Sequence, residues 1–405
     1  MIIIKHNFFV TLAIKTVIYL CKLPYFIASQ ASNLMFYNRS YKKIISLILF
    51  IISFNVFSQE NKTSKLLYFE PEFHYGYFLN NSSNNIFPDN YTAFDFKVGV
   101  QTKGENWWHK KWNYPTYGIG FYKGFYNSPD VLGNPFGIYT FLNGKFLRIK
   151  RFSFNYEYGA GVGYLDKYYS NSENNQNDVV STPIEYFINI KFNFNYIVSE
   201  RITLIAGAHF SHFSNGALQM PNYGMNDYGY NASIRYHFYS KKHNDKFSRG
   251  DNIDLKEIPQ FKKNLFVFFG SIGGCVETYN TESPLYFMWS LSANYNRRYA
   301  AIASYGGGFD AFYDGSIPTH AGYENYTDTQ KIFYTFHLSH VLHINKLDFL
   351  SDLGTYLNDT KLKGYLWARI GYRYNITNHF FAQISFKTQN GAKADFIEFA
   401  IGTKI

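Results

Sequence analysis

Cysteine is nearly absent: the 405 residues hold two, Cys21 and Cys275. Cys21 falls in the leader described below, so Cys275 would stand alone in the mature chain and no intramolecular disulfide staples the fold. Charge is also scarce, at 17% of residues. Past residue 60 there is no run of about 20 apolar residues, the length a helical span needs, which excludes a polytopic helical membrane protein. The glycine patterns that cradle nucleotide phosphates are missing, and Gly159, Gly161, Gly163 and Gly306 to Gly308 suit close strand packing instead. Lys241, Lys242 and Lys246 alternate with Asp245 and Asp251, so no basic stripe for nucleic acid forms. Aromatic residues, by contrast, make up 21%, with 38 Tyr and 42 Phe, far too many for a disordered chain. Abundant apolar surface dispersed along the chain, with little charge, is the composition of an outer-membrane barrel with aromatic girdles.

Residues 1–58 differ from the rest. They contain no Asp or Glu, and Lys5, Lys15, Lys22, Arg39, Lys42 and Lys43 account for six of the +10 net charges. Met35 opens MFYNRSYKK, which leads into the apolar IISLILFIISFNVFS and then Gln59-Glu60. A basic n-region, an apolar h-region and a small residue before a polar start predict a signal peptide, with translation beginning at Met35 and cleavage near Ser58. The remainder, 59–405, is expected to form the barrel.

From residue 67 onward, segments of about ten residues alternate apolar and polar side chains, with turn residues between them. About sixteen are legible, from 67–79 through 202–213, 227–239 and 263–274 to 394–404, which predicts an all-β, transmembrane, antiparallel up-and-down β-barrel of about 14–16 strands. Short turns such as 199–201 and 344–346 alternate with longer links such as 165–183, 214–226 and 311–330. That asymmetry places both termini in the periplasm and the long loops outside. Two links depart from it: 102–115, with Trp107, Trp108 and Trp112, and the charged 240–262. Asp310, Asp314, His320, Glu324 and Asp328 gather in one expected external loop, where a solvated loop is a better reading than a cation site.

One stretch carries chemistry: HFSHFSNGALQMPNYGMND, from His209 to Asp227. His212 and Ser214 lie two apart at a strand end and so share a face. A serine hydroxyl becomes a useful nucleophile only beside a base that takes its proton, and the base needs a third group to fix its tautomer. Ile202, Leu204, Ala206, Ala208 and Phe210 form the more apolar face, which looks at lipid and leads to His212 and Ser214. On the next strand Tyr228, Tyr230, Ala232 and Ile234 face lipid, so Asn226 comes round to the His212/Ser214 face and Asp227 points inward. Asn226 is therefore the expected third member, orienting the imidazole through its amide oxygen. A polar, ionisable pair on a lipid-facing surface is costly, which favours a functional role. A second H-x-S, His337 and Ser339, is expected to face a polar lumen and to be structural.

The run His212-Phe213-Ser214-Asn215, followed by Pro221-Asn222-x-Gly224-x-Asn226, resembles the PagL-like lipid A 3-O-deacylases, also called acyloxyacyl hydrolases. The closing KTQNGAKADFIEFAIGTKI is also similar to the last strands of acyloxyacyl hydrolase-type proteins from the Bacteroidetes. The resemblance implies an outer-membrane barrel, of eight strands in the family, with His212 as base and Ser214 as nucleophile. Asn215 and Asn222 match asparagines implicated at the oxyanion hole, and Asn226 occupies the position of the family's Glu. The oxyanion donors would be the Asn215 side chain or amides in Asn215–Ala217, with Asn222 nearby. The implied substrate is an acyl ester of lipid A in lipopolysaccharide of the outer leaflet, with no metal or cofactor. Two alternatives stand beside this: a non-enzymatic barrel, either a pore or a surface protein, and a deacylase scaffold inactivated by Asn226.

Overall fold

The computed structural model describes residues 66–79, 90–238, 258–277, 284–317, 327–358, 363–390 and 393–405. The leader, His320, Glu324 and most of 240–262 lie outside them. Among the described residues sixteen antiparallel strands follow one another, close to the expected positions. The first eight are β1 (Leu66–Phe78), β2 (Asn90–Gln101), β3 (Thr116–Tyr126), β4 (Phe136–Ile149), β5 (Phe152–Tyr164), β6 (Ile184–Ile197), β7 (Ile202–Ser214) and β8 (Met225–His237). The second eight are β9 (Asn264–Cys275), β10 (Tyr286–Ala300), β11 (Ala303–Asp314), β12 (Ile332–Ile344), β13 (Leu347–Tyr356), β14 (Leu366–Asn375), β15 (Phe380–Gln389) and β16 (Lys393–Lys404).

The strands do not close into a single barrel of 14–16. They close into two barrels of eight, β1–β8 and β9–β16. β8 returns to β1, with Tyr75 opposite Tyr230 and Phe78 opposite Asp227. β16 returns to β9, with Phe399 opposite Ile272. The expected long link 240–262 thus falls in sequence between the last strand of one barrel and the first of the next.

Alternation decides which side chain faces where. In β2, Phe94, Phe96 and Val98 are 44%, 46% and 47% exposed on the outer face, whereas Asp95 and Lys97 are fully buried within. A slip of one residue would exchange the two sets. An interior bounded by eight strands has room for side chains and little more, and here charged side chains fill it. In the first barrel Lys97 Nζ lies 2.8 Å from Glu70, 2.7 Å from Glu72 and 2.9 Å from Glu157. Lys191 bridges Glu72 and Asp95, both at 2.8 Å, and Arg235 meets Glu70 at 2.5 Å. In the second barrel Arg369 joins Asp310, Asp352 and Glu398, and Lys387 meets Asp395 at 2.5 Å. Taking such charges out of water is tolerable only because each finds a partner of opposite sign. Among the described residues, Arg235 and the other inward polar residues therefore pack the lumen. Asp310 and Asp314 also depart from expectation. They belong to β11, with Asp310 on Arg369 and Asp314 paired with Lys363, and do not form part of a solvated loop.

The outer faces of the two barrels meet. Tyr158 of β5 packs on Phe349 and Tyr372, with ring centroids 5.8 and 5.9 Å apart. Tyr186 of β6 meets Phe386 of β15 edge-on at 5.1 Å. At the end opposite Ser214, the tryptophan-bearing link 102–115 contributes as well: Trp112 Nε1 donates to the His343 carbonyl at 3.0 Å. The link thus makes a contact between the barrels.

Candidate active site

β7 and β8 pair so that His212 lies opposite Asn226 and Ser211 opposite Asp227. On the other side of β7, Ser214 lies opposite Tyr186 and His212 opposite Ile188. Ile202 and Leu204 are exposed and Thr203 and Ile205 buried, so the even-numbered face of β7 is the outer one. His212 and Ser214 share that face. Asp227 points inward, where it is fully buried and accepts a hydrogen bond from Tyr126.

His212 Nδ1 lies 2.7 Å from Asn226 Oδ1. The amide orientation is set by its other end, since Asn226 Nδ2 donates to the carbonyls of Gly224 at 3.0 Å and Tyr223 at 3.4 Å. An amide nitrogen turned toward two carbonyls leaves its oxygen toward the imidazole. The oxygen can only accept, so the ring proton sits on Nδ1 and Nε2 keeps its lone pair. A general base needs that tautomer. Gly224 makes room for the ring: its φ is +78°, and a Cβ there would stand 2.7 Å from His212 Cε1. Its amide donates to the Val179 carbonyl at 2.8 Å, which ties the 214–225 loop to the 165–183 loop.

Ser214 is 8% exposed. Its Oγ accepts two hydrogen bonds, from Asn222 Nδ2 at 2.9 Å and from the Gly216 amide at 3.2 Å. Asn222 is held the right way round because its Oδ1 accepts the Asn215 amide at 3.4 Å. Two donors thus converge on the serine oxygen. Among the described residues no hydrogen bond joins His212 to Ser214; the two stand side by side on one face. Catalytic hydrogen bonds often tighten only when substrate is bound.

Two of the expected oxyanion residues have other tasks. The Asn215 side chain does not turn to the serine. It donates to Ser181 Oγ at 3.1 Å and to the Gln219 carbonyl at 3.0 Å, bracing the loop. Ala217 is buried with a φ of +69°, and its carbonyl accepts the Val276 amide at 2.8 Å. The backbone donor is Gly216, between them. Gly216 lies within the expected Asn215–Ala217 run of amides and Gly224 within the quoted motif, whereas Ser181 was not singled out from the sequence. At Gly216 the φ is +66°, and the turn favours a residue without a Cβ.

His337 and Ser339 face the second lumen, and His337 is fully buried. Its Nδ1 meets Asp310 Oδ2 and its Nε2 meets Asn294 Oδ1, each at 2.5 Å. Glu72, His74 and Asp95 in the first lumen bring one ligand atom each within 4.8 Å. Lys97 and Lys191 already lie on those carboxylates, and two ammonium groups oppose a cation there.

A fold of apolar-faced, lumen-filled antiparallel barrels defines an outer-membrane β-barrel protein. Two family models match the chain. Residues 92–235 match the lipid A 3-O-deacylase (PagL) family, and residues 263–405 match the acyloxyacyl hydrolase C-terminal domain. The two matches fall on the first and second barrels and together take in most of the chain, which belongs to the PagL-like lipid A 3-O-deacylase/acyloxyacyl hydrolase family. Solved structures similar to it include the outer membrane enzyme PagL, with 14% identity over 41% of this chain and 98% of that one and a TM-score of 0.29. Neisserial surface protein A is similar at 9% identity over 42% of this chain and 97% of that one, with a TM-score of 0.28. No curated protein sequence matches the chain.

Proposed function

We propose that the chain is an outer-membrane serine esterase that removes an ester-linked acyl chain from lipid A. The observation that carries this reading is the convergence at Ser214. A histidine with its Nε2 lone pair free stands beside the hydroxyl, and two donors aim at the hydroxyl oxygen. Membership of the lipid A deacylase family supports the substrate class. The filled lumens argue against a pore.

In this scheme Ser214 Oγ attacks the ester carbonyl while His212 Nε2 takes its proton. The Gly216 amide and Asn222 Nδ2 hold the oxyanion of the tetrahedral intermediate. Collapse breaks the ester bond, and His212 returns the proton to the departing sugar hydroxyl. A water then gives its proton to His212 and hydrolyses the acyl-serine, releasing the fatty acid and restoring the hydroxyl. Asn226 keeps the imidazole in the correct tautomer but adds no charge to stabilise the imidazolium. With the long loops outside and both termini periplasmic, the serine would sit at the level of the outer-leaflet acyl esters and reach them without extracting the lipid.

The test is mass spectrometry of lipopolysaccharide incubated with refolded wild type and Ser214→Ala. Loss of one ester-linked acyl chain with the wild type alone is expected. Unchanged lipid A with both would sink the reading.

A further inference from the structure

Asn215 and Asn222 brace the serine loop from within, but not at its most strained positions. Gly216 and Ala217 have successive positive φ values of +66° and +69°. For alanine this left-handed backbone is disfavoured, and contacts elsewhere must maintain it. Those contacts come from the second barrel. The Ala217 carbonyl accepts the amide of Val276, the residue that follows β9, at 2.8 Å. The Ala217 methyl lies in one buried apolar cluster with Cys275, Met288, Phe312 and Phe396. A Cβ on Gly216 would stand 2.5 Å from Ile397 Cδ1 and 2.6 Å from its Cγ1, so the glycine backbone rests on that side chain. Ile397 is 1% exposed, although it belongs to the outward row of β16 that also holds Ile401, which is 61% exposed.

We propose that the second barrel completes the active site of the first, with Ile397 and the Val276 amide as positioning groups that aim the Gly216 N–H at the Ser214 oxygen. The proposal rests on the esterase reading above. Ile397 presses on the turn from one side while Val276 anchors the next carbonyl. The peptide unit between Asn215 and Gly216 is then left with its N–H toward the serine. A small relaxation of the turn would redirect this donor without touching Ser214 or His212. The expected signature is a fall in kcat with little change in KM.

The experiment compares Ile397→Ala, Ile397→Val and Ile401→Ala in the full chain, refolded in detergent. Turnover is followed with lipopolysaccharide, and amide hydrogen exchange is measured over 215–218. Ile401→Ala removes the same atoms from the same face of the same strand, away from the loop. The expectation for Ile397→Ala is a kcat lower by about tenfold, less than the roughly 10²–10³-fold that complete loss of an oxyanion donor produces. KM should stay within about twofold, with faster exchange over 215–218. Ile397→Val should recover part of both, and Ile401→Ala should match the wild type. If Ile397→Ala keeps wild-type kcat and exchange, or loses no more than Ile401→Ala, the positioning role is overturned while the esterase stands. If the wild type leaves lipid A intact yet exchange over 215–218 rises in Ile397→Ala, the esterase reading falls and takes the catalytic role with it. In that case the contact survives only as a docking between barrels.

Discussion

The two H-x-S pairs of this chain invite comparison, because the one whose histidine has a carboxylate partner is the one buried inside a lumen. His337 has a carboxylate, Asp310, on its Nδ1, whereas His212 has only the neutral amide of Asn226. Yet both nitrogens of His337 are engaged, the second by Asn294, and the ring is sealed inside a lumen packed around Arg369. His212 has one nitrogen bound and one open, beside a serine that two donors address from the outer face of its strand. A third group matters to a base only if it leaves the other nitrogen available and the neighbouring hydroxyl within reach of substrate. Strand parity decides both.

That contrast can be broken by substitution. The largest effect is expected at the proposed nucleophile. Ser214→Ala should lower deacylation by about 10³-fold or more, the scale for loss of a member of such a unit, measured as acyl chain released per unit time. The same change at Ser339 should leave the rate within about twofold. Asn222→Ala removes one of the two donors and should reduce kcat by about 10²–10³-fold. A double substitution with Ser214→Ala should be no worse than Ser214→Ala alone, because a donor to an absent oxyanion contributes nothing.

Asn226→Glu sharpens the comparison from the other side. It gives His212 the kind of partner that His337 already has, and a charged hydrogen bond is roughly twice as strong as a neutral one. An increase in kcat of about tenfold is expected, with Asn226→Ala moving the rate in the opposite direction. A rate unchanged by either would show that the tautomer at His212 does not limit turnover. The smallest effect on rate belongs to His337→Gln. It disturbs the Asp310 and Asn294 contacts and should lower the stability of the folded protein by about 1–3 kcal/mol, read from denaturant unfolding, while deacylation stays near wild type.

Much of this was legible in the sequence because a strand has a period of two. Alternation located the sixteen strands, put Asp227 inside and Asn226 outside, and singled out His212 and Ser214 at a strand end. Closure was not legible. Whether β8 pairs with β1 or with β9 depends on hydrogen bonds between residues as far apart as Tyr75 and Tyr230. Local alternation reads the same in either case. The charged link 240–262 and the eight strands of the resembled family were signals of a break that local alternation did not carry. At the site, Asn215 looked like an oxyanion donor from its place beside the serine. Its amide proved committed to Ser181, some thirty residues earlier in the chain.

The sequence by itself determined the strands, the face each side chain takes, the placing of His212 and Ser214 on one face, and the family. These depend on near neighbours and on the pleat. Only the tertiary structure decided that there are two barrels, that charged side chains fill their lumens, and that the serine loop is held from the second barrel by Ile397 and Val276. Those features arise where outer faces of separate sheets meet, and such a meeting has no period in sequence. It is set by which surfaces can bury each other once each barrel has closed.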